Sequence, residues 1–158
     1  NRHSTATHDD AGNVLTSTDA LQRSTTYAYD AADRLTQTSS GTAATTATYT
    51  YDADGRRAAM TDRQGTSSYD YDDLGRLVEA TTGEGDEIGY TYDLADRRTT
   101  LRYPNGQSVT TAFDDAGRPT SITDWLGNET EFDYDADSNL TETAFPTTTP
   151  TSARRAST

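Results

Sequence analysis

Aromatic and polar positions alternate along this chain in a unit that recurs. Between Tyr49 and Val78 the sequence Tyr-x-Tyr-Asp-x-x-Gly-Arg occurs twice. Residues two positions apart lie on one face of an extended strand, so each aromatic pair predicts a strand with an aromatic face. An Asp at the start of a turn can accept hydrogen bonds from the backbone, and a Gly three residues later supplies a positive φ. The unit therefore predicts a strand, a tight turn and a return strand.

Seven copies of the unit follow one another at intervals of 20 to 22 residues, a period typical of a repeat array. The Asp that marks each copy stands at Asp9, Asp30, Asp52, Asp72, Asp93, Asp114 and Asp135. The residue before it is His8, Tyr29, Tyr51, Tyr71, Tyr92, Phe113 or Tyr134. The residue four after it is Asn13, Arg34, Arg56, Arg76, Arg97, Arg118 or Asn139. The turn position three after the Asp holds Gly12, Asp33, Gly55, Gly75, Asp96, Gly117 or Ser138. We interpret residues 1–145 as the array and these positions as structural.

A second turn about ten residues later completes each copy, as in the stretches 61–65 and 123–127. The fold class predicted is all-β: an antiparallel meander of about fourteen short strands, with no helical period. A three-residue first loop pairs the Tyr of a copy with the residue six positions on, as in Tyr29 with Leu35, Tyr71 with Leu77 and Tyr134 with Leu140. For the second turn we expect Arg56 opposite Asp72.

These pairings predict an aromatic–aliphatic ribbon on one face of the sheet and an Asp/Arg column on the opposite face. Leu, Ile, Val and Phe are scarce and the mean hydropathy is −0.90, whereas Tyr occurs ten times. We therefore expect the Tyr rings to replace the missing aliphatic side chains as a dry stripe and to supply most of the stability. A repeat array can be stable with few buried side chains, because each repeat is stabilised by contacts with its neighbours.

A net charge of −13 and a pI near 4.3 argue against nucleic acid or an anionic membrane as partner, because phosphates would be repelled. The chain has no Cys, which excludes disulfides and thiolate metal sites. No apolar run is long enough to predict membrane insertion. Because the chain opens at Asn1, we interpret it as an excerpt of a longer protein.

Tyr69-Asp70-Tyr71-Asp72-Asp73-Leu74-Gly75-Arg76-Leu77 resembles the YD repeat of RHS-repeat proteins, and the resemblance extends over residues 5–145. It implies a spiral β-sheet that closes into a hollow shell. In bacterial RHS and Tc-type toxins such a shell encloses a toxic C-terminal domain, and in animal teneurins a related shell supports cell adhesion. The resemblance also implies a secreted or cell-surface location.

No catalytic, cofactor-binding or metal-binding residue is predicted. The repeat Asp occurs in every copy, whereas a catalytic residue is needed once, so turn capping is the better interpretation. The sequence Asp52-Ala53-Asp54-Gly55 has only part of a calcium loop, since Arg63 stands where that loop needs Glu. His3 and His8 stand near the start, without a motif. Trp125, at a second turn, is either a contact residue or packed against a neighbouring strand.

The function predicted is that of a non-catalytic scaffold whose shell encloses or presents a C-terminal effector such as a toxin. The alternative is an extracellular fibre or adhesin that makes cell-surface or carbohydrate contacts. The partners expected are further repeats of the same chain and either an enclosed toxin domain or a surface receptor, with self-association left open. Residues 146–158, rich in Thr, Pro and Ser, are interpreted as a tail or linker.

Overall fold

The computed structural model describes residues 4–41 and 45–146. Those residues form fourteen β-strands and no α-helix, which confirms the predicted all-β meander. The order of the strands in the sheet is their order in the sequence, and the pairs follow an antiparallel register. The strands are β1 (Thr5–His8), β2 (Val14–Thr18), β3 (Ser24–Tyr29), β4 (Leu35–Ser39), β5 (Thr46–Tyr51), β6 (Arg57–Asp62), β7 (Gly65–Tyr71), β8 (Leu77–Thr81), β9 (Glu87–Tyr92), β10 (Arg98–Arg102), β11 (Ser108–Phe113), β12 (Pro119–Thr123), β13 (Glu129–Tyr134) and β14 (Leu140–Ala144).

The chain divides into two compact units, Asn1–Gly89 and Tyr90–Thr158, and the division falls within β9. Strands β1 to β8 belong to the first unit, and β10 to β14 belong to the second. Of the tail predicted at residues 146–158, only Pro146 is among the described residues. The predicted end of the array at residue 145 therefore stays a prediction.

The first turn of each copy has the register predicted from sequence. Tyr29 pairs with Leu35 and Tyr71 pairs with Leu77, and Tyr134 with Leu140 has the same relation. In each case the register shifts by one residue next to the Tyr, which is the sign of a β-bulge.

A positive φ is required three residues after the repeat Asp, because the loop turns there through the left-handed region. Gly55 takes φ +82° at this position, and a Gly is the least strained residue in that region. Asp33, Asp96 and Ser138 replace the Gly in other copies and adopt φ values of 58°, 62° and 67°.

The register predicted for the second turn is wrong by one residue. Ala59 pairs with Ser68, so the same register continued by three residues places Arg56 opposite Tyr71 and not opposite Asp72. A shift of one residue moves a side chain to the other face of a sheet. The Arg of each copy therefore shares a face with the aromatic residues, and the predicted Asp/Arg column on the opposite face is not formed.

The aromatic face is half-buried, not dry. No hydrophobic side chain among the described residues is fully buried. In β3 the exposed residues alternate with half-buried ones, and Tyr27 and Tyr29 belong to the half-buried set. Complete burial of a sheet face needs a second packed layer, whereas all fourteen described strands belong to the sheet itself. Neighbouring side chains on the sheet cover described rings, as Arg34 covers Tyr51.

Threonine hydroxyls on the opposite face join neighbouring strands. Thr7 and Thr16, which are cross-strand partners, have their Oγ1 atoms 2.6 Å apart. Thr61 and Thr66 make the same contact at 2.8 Å. Cross-strand pairs of this kind contribute about 0.2–1 kcal/mol each, so this face stabilises the sheet in small increments.

Two second turns in the first unit lie in backbone contact. A Cβ added at Gly83 would lie 2.8 Å from the carbonyl oxygen of Gln64, and a Cβ added at Gly65 would overlap the backbone of Gly83. Gly83 does not have a positive φ. A Gly is needed there because the backbones of the two turns approach each other too closely to leave room for a side chain.

We predict that Gly83→Ala destabilises the first unit by about 1–3 kcal/mol, the usual cost of an overpacked site. Chemical denaturation followed by circular dichroism measures the effect. Glu84→Ala, an exposed change in the same turn, is the control and should stay within about 0.5 kcal/mol of the parent. A Gly83→Ala protein as stable as the control would contradict the contact between these turns.

Candidate functional site: the Asp–Arg–ring relay

The repeat Asp closes the first turn with both of its carboxylate oxygens. Asp30 Oδ1 accepts the backbone N–H groups of Ala32 at 2.9 Å and Arg34 at 3.0 Å. Its Oδ2 accepts from Arg34 Nε and Nη2, each at 2.8 Å. The backbone adds two bonds, from Asp30 N to Arg34 O and from Asp33 N to Asp30 O. One carboxylate thus fixes the turn and the guanidinium together.

The same ion pair recurs along the array, with the two side chains between 22% and 35% exposed. The pairs are Asp30–Arg34, Asp52–Arg56, Asp72–Arg76, Asp93–Arg97 and Asp114–Arg118, at 2.6–2.8 Å. Where Asn replaces Arg, its amide takes the same place. Asn13 Nδ2 donates to Asp9 Oδ2 at 3.1 Å, and Asn139 Nδ2 donates to Asp135 Oδ2 at 3.0 Å.

Four of these ion-paired guanidinium groups also lie over the aromatic ring of the following copy. The pairs, with the distance from the Arg Cζ atom to the ring centroid, are Arg34–Tyr51 at 4.7 Å, Arg56–Tyr71 at 4.8 Å, Arg97–Phe113 at 4.7 Å and Arg118–Tyr134 at 4.7 Å. A cation over a ring face at this distance is attracted by the ring quadrupole. The Arg therefore joins its own turn to the next hairpin.

Two hydrogen bonds strengthen this junction. The Arg donates from Nη1 to the carbonyl oxygen of the next repeat Asp, as from Arg97 to Asp114 at 2.8 Å. In the other direction, the next Tyr donates its hydroxyl to the carbonyl oxygen of the residue after the Arg, as from Tyr51 to Leu35 at 2.7 Å. We call the set formed by the Asp, the Arg, the next ring and these two hydrogen bonds the relay.

The left-handed turn position also belongs to the contact between copies. A Cβ added at Gly75 would lie 3.3 Å from Nη1 of Arg56 in the preceding copy. In two of the copies without Gly, the side chain at this position accepts a hydrogen bond from the preceding copy. Ser138 Oγ accepts from Arg118 Nη1 at 3.2 Å, and Asp33 Oδ1 accepts from Asn13 Nδ2 at 2.8 Å.

Hydrogen bonding holds the pKa of the repeat carboxylates below its ordinary value. For Asp114 the main cause is the backbone N–H of Arg118, aided by the Arg118 guanidinium, and together these outweigh the opposing effect of desolvation. The pKa of Asp30 and of Asp72 is lowered for the same reasons. A general acid at neutral pH needs the opposite shift. These carboxylates are therefore suited to remain ionised and hold the turn.

Several second turns use the same clamp, which the sequence analysis did not predict. Asp19 Oδ1 accepts the N–H groups of Leu21 at 2.8 Å and Arg23 at 3.0 Å, and its Oδ2 pairs with the Arg23 guanidinium. Asp124 binds Asn128 in the same way. In the sequence, a donor side chain follows the Asp by four residues, as it does in the first turn. This spacing could have predicted the clamp in the second turns.

Of the two roles that the sequence left open for Trp125, the structure shows packing. Trp125 packs edge-on against Tyr103, with ring centroids 5.8 Å apart and planes at 85°, and it is still 47% exposed. His8 is an exposed residue at the end of β1, and His3 lies outside the described residues.

Within the described residues, no group of three or more His, Cys, Asp or Glu side chains is placed to hold a metal ion. Asp54, in the stretch with part of a calcium loop, pairs with Arg56 at 2.8 Å. None of the described residues belongs to a helix long and apolar enough to span a membrane.

A family model described as RHS Repeat matches residues 8–45, 51–87, 71–108 and 113–149. No curated protein matches the chain. Among solved structures, the chain is similar to a component of the Photorhabdus luminescens Tc holotoxin pore, with 19% identity and a TM-score of 0.74 over 89% of this chain.

Two further structures show the same fold. A TcdB2–TccC3–Cdc42 structure matches at 18% identity and a TM-score of 0.74, and TcdB2–TccC3 without its hypervariable C-terminal region matches at 19% identity and 0.73. Each match covers 90% of this chain. The chain spans only 9% of the length of each of these proteins.

We predict that Tyr51→Phe destabilises the first unit by about 1 kcal/mol, because it removes the hydroxyl bond to Leu35 and keeps the ring under Arg34. Phe113 stands at the equivalent position of another copy and has no hydroxyl. The reciprocal variant Phe113→Tyr adds one, and it should stabilise the second unit by about 0.5–1 kcal/mol. Urea denaturation measures both. Changes of the same sign in the two variants would contradict the role of the hydroxyl.

Arg97→Lys should destabilise the second unit by about 1–2 kcal/mol although the charge is kept, because one ammonium cannot hold Asp93 and at the same time cover Phe113 and reach the Asp114 carbonyl. Arg63→Lys, at an exposed turn, is the control and is expected to change stability by less than about 0.5 kcal/mol. Thermal and urea unfolding compare the two. If both variants behave alike, charge alone and not the planar guanidinium is what the array needs.

Proposed function

Because the chain belongs to the RHS repeat family, we propose that it is a stretch of non-catalytic β-sheet wall in a secreted or cell-surface protein. The wall encloses or presents a C-terminal effector such as a toxin. The observation that carries this proposal is the relay, whose Arg–ring contact joins consecutive hairpins at four described junctions. A wall built from repeats needs strong contacts between neighbours and no central core.

The chemistry of the repeat residues supports a structural role. The carboxylates that recur are engaged by backbone N–H groups and by guanidinium or amide groups. A catalytic carboxylate must reach a substrate, whereas these are engaged within their own turns. The positions we assign to the wall are the repeat Asp, its preceding aromatic residue, the left-handed turn residue and the Arg.

Similarity to Tc structures supports the enclosed effector. One of those structures was determined without a hypervariable C-terminal region, so a variable segment accompanies this fold in that protein. The present chain spans 9% of the length of those proteins, and we therefore propose enclosure for the full-length protein that contains it. In that protein the partners are further repeats and the effector that they surround.

One observation favours the alternative function of an extracellular adhesin. Trp125 and Leu126, which lie together at a second turn, are 47% and 76% exposed. Exposed aromatic anchors of this kind dominate many protein–protein contacts. In this alternative the repeats carry a contact surface at the turns, toward a cell-surface receptor or glycan, and enclose nothing.

Limited proteolysis of the full-length protein tests the proposal. We expect the segment C-terminal to the repeats to resist a protease that digests the same segment when it is expressed alone, because a closed wall excludes the protease. Introducing Arg→Lys at the relay positions of several copies should make the segment sensitive. A C-terminal segment cleaved at the same rate in both forms would contradict enclosure.

Cell binding by the same full-length protein tests the adhesin alternative. Trp125→Ala would then abolish binding to target cells without changing protease resistance. Binding unaffected by Trp125→Ala, together with a protected C-terminal segment, supports the wall.

A further inference from the structure

We propose that the relay is an acid-labile clasp: protonation of the repeat carboxylates releases the side-chain contacts between consecutive hairpins while the strand ladder persists. The proposal concerns the repeats alone and does not depend on an enclosed effector, so the two proposals can fail separately.

The geometry makes the carboxylate the point on which both kinds of contact depend. Asp114 Oδ1 accepts the Arg118 backbone N–H at 2.9 Å, and Oδ2 holds the Arg118 guanidinium at 2.7 Å. The same guanidinium lies over Tyr134 and donates to the Asp135 carbonyl at 3.2 Å. Protonation of Asp114 removes the anionic anchor, and the guanidinium then has only its contacts to the next hairpin to orient it.

The charged groups that face this carboxylate favour its ionised form. Arg118 faces it from its own turn, and Arg97 of the preceding hairpin reaches the Asp114 backbone carbonyl at 2.8 Å. In the first unit, Asp52 is paired with Arg56, which also binds Asp54. Acid therefore acts against the ionised state that these guanidinium groups stabilise.

The hairpin ladder has a different basis. Backbone pairing joins β5 to β6 and β11 to β12 within hairpins, and it also joins β6 to β7 and β12 to β13 between hairpins. Backbone hydrogen bonds contain no group that titrates between about pH 2 and 5. Loss of the carboxylate charge thus weakens the side-chain contacts of the relay, whereas the backbone ladder within and between hairpins persists.

The direction of the pH dependence follows from linkage. The pKa of Asp52 and of Asp114 is lower in the folded chain than its ordinary value. The stabilisation is therefore complete above about pH 4, the usual range of an Asp in an unfolded chain, and is lost as the pH falls through the lowered values. Several copies titrating together make the transition steep.

A competing effect has the opposite sign. The chain carries a net charge of −13 at pH 7, and acid reduces the self-repulsion of a strongly charged chain. That effect depends on every carboxylate, whereas the clasp depends on the repeat Asp alone. Substitutions at matched positions separate the two.

The test is an acid titration of the chain from pH 7 to pH 2, followed by near-ultraviolet circular dichroism for the Tyr environment and by far-ultraviolet circular dichroism for the strands. We expect the near-ultraviolet signal to change first, below about pH 4, and to return when the pH is raised. The slope of the logarithm of the opening constant against pH gives the number of protons taken up.

The variant is Asp52→Asn combined with Asp114→Asn, in which each amide keeps an oxygen that accepts the turn hydrogen bonds. We expect it to take up about two protons fewer than the parent, one for each site removed. The control combines Asp73→Asn with Asp115→Asn, exposed residues that follow the repeat Asp in the turns of Asp72 and Asp114, and should match the parent. If the double variant is unfolded at pH 7, Asp114→Asn alone should take up about one proton fewer.

Three results would overturn the clasp. The first is a proton uptake that is equal in parent and relay variant. The second is a control that changes as much as the relay variant. The third is simultaneous loss of the near- and far-ultraviolet signals in the parent, which would mean that acid unfolds the whole chain at once.

Discussion

The guanidinium of the repeat Arg lies between two hairpins, and the array depends on this contact because the described part of the sheet has no buried hydrophobic core. One side of the Arg is anchored on the Asp four residues before it, and the other covers an aromatic ring in the next copy, as in Arg56 between Asp52 and Tyr71. Neighbour contacts are the main stabilising interactions of a repeat protein. Here the contact is made by a charged, planar group, so it stabilises the array even at a half-exposed surface. An aliphatic side chain at such a surface would lose most of the free energy that burial provides.

The unusual composition follows from this arrangement. A single sheet cannot bury aliphatic side chains, whereas Tyr combines a ring that packs with a hydroxyl that bonds a backbone carbonyl, as in Tyr29 to Val14 at 3.1 Å. Arg is preferred to Lys because only a planar guanidinium can bind a carboxylate, a ring and a carbonyl together. Thr on the other face supplies β-propensity and hydroxyl pairs. The acidic excess is partly structural, since a repeat Asp closes the first turn of each copy, as Asp30, Asp52 and Asp135 do.

Periodicity alone predicted the fold class, the number of strands and the pairing across the first turn, because the turn chemistry is local and repeats with the same spacing. The face occupied by the Arg was not predictable in this way. It depends on the length of the second loop, and an error of one residue there moved Arg56 from opposite Tyr71 to opposite Asp72. The prediction of a dry aromatic stripe was wrong for a different reason. The alternation of residues shows which side chains share a face of the sheet, but it does not show whether another layer covers that face. The clamp at Asp19 was missed because its hairpin lacks the aromatic pair.

A double-mutant cycle between Arg118 and Tyr134 tests the central claim most directly, because this pair joins two consecutive copies at 4.7 Å. Arg118→Met, Tyr134→Leu and the combined variant are compared with the parent in urea denaturation. If the Arg–ring contact couples the copies, the two single losses exceed the loss in the combined variant by about 0.5–1 kcal/mol. Additive losses would show that the two side chains stabilise their own hairpins independently, and would contradict the account.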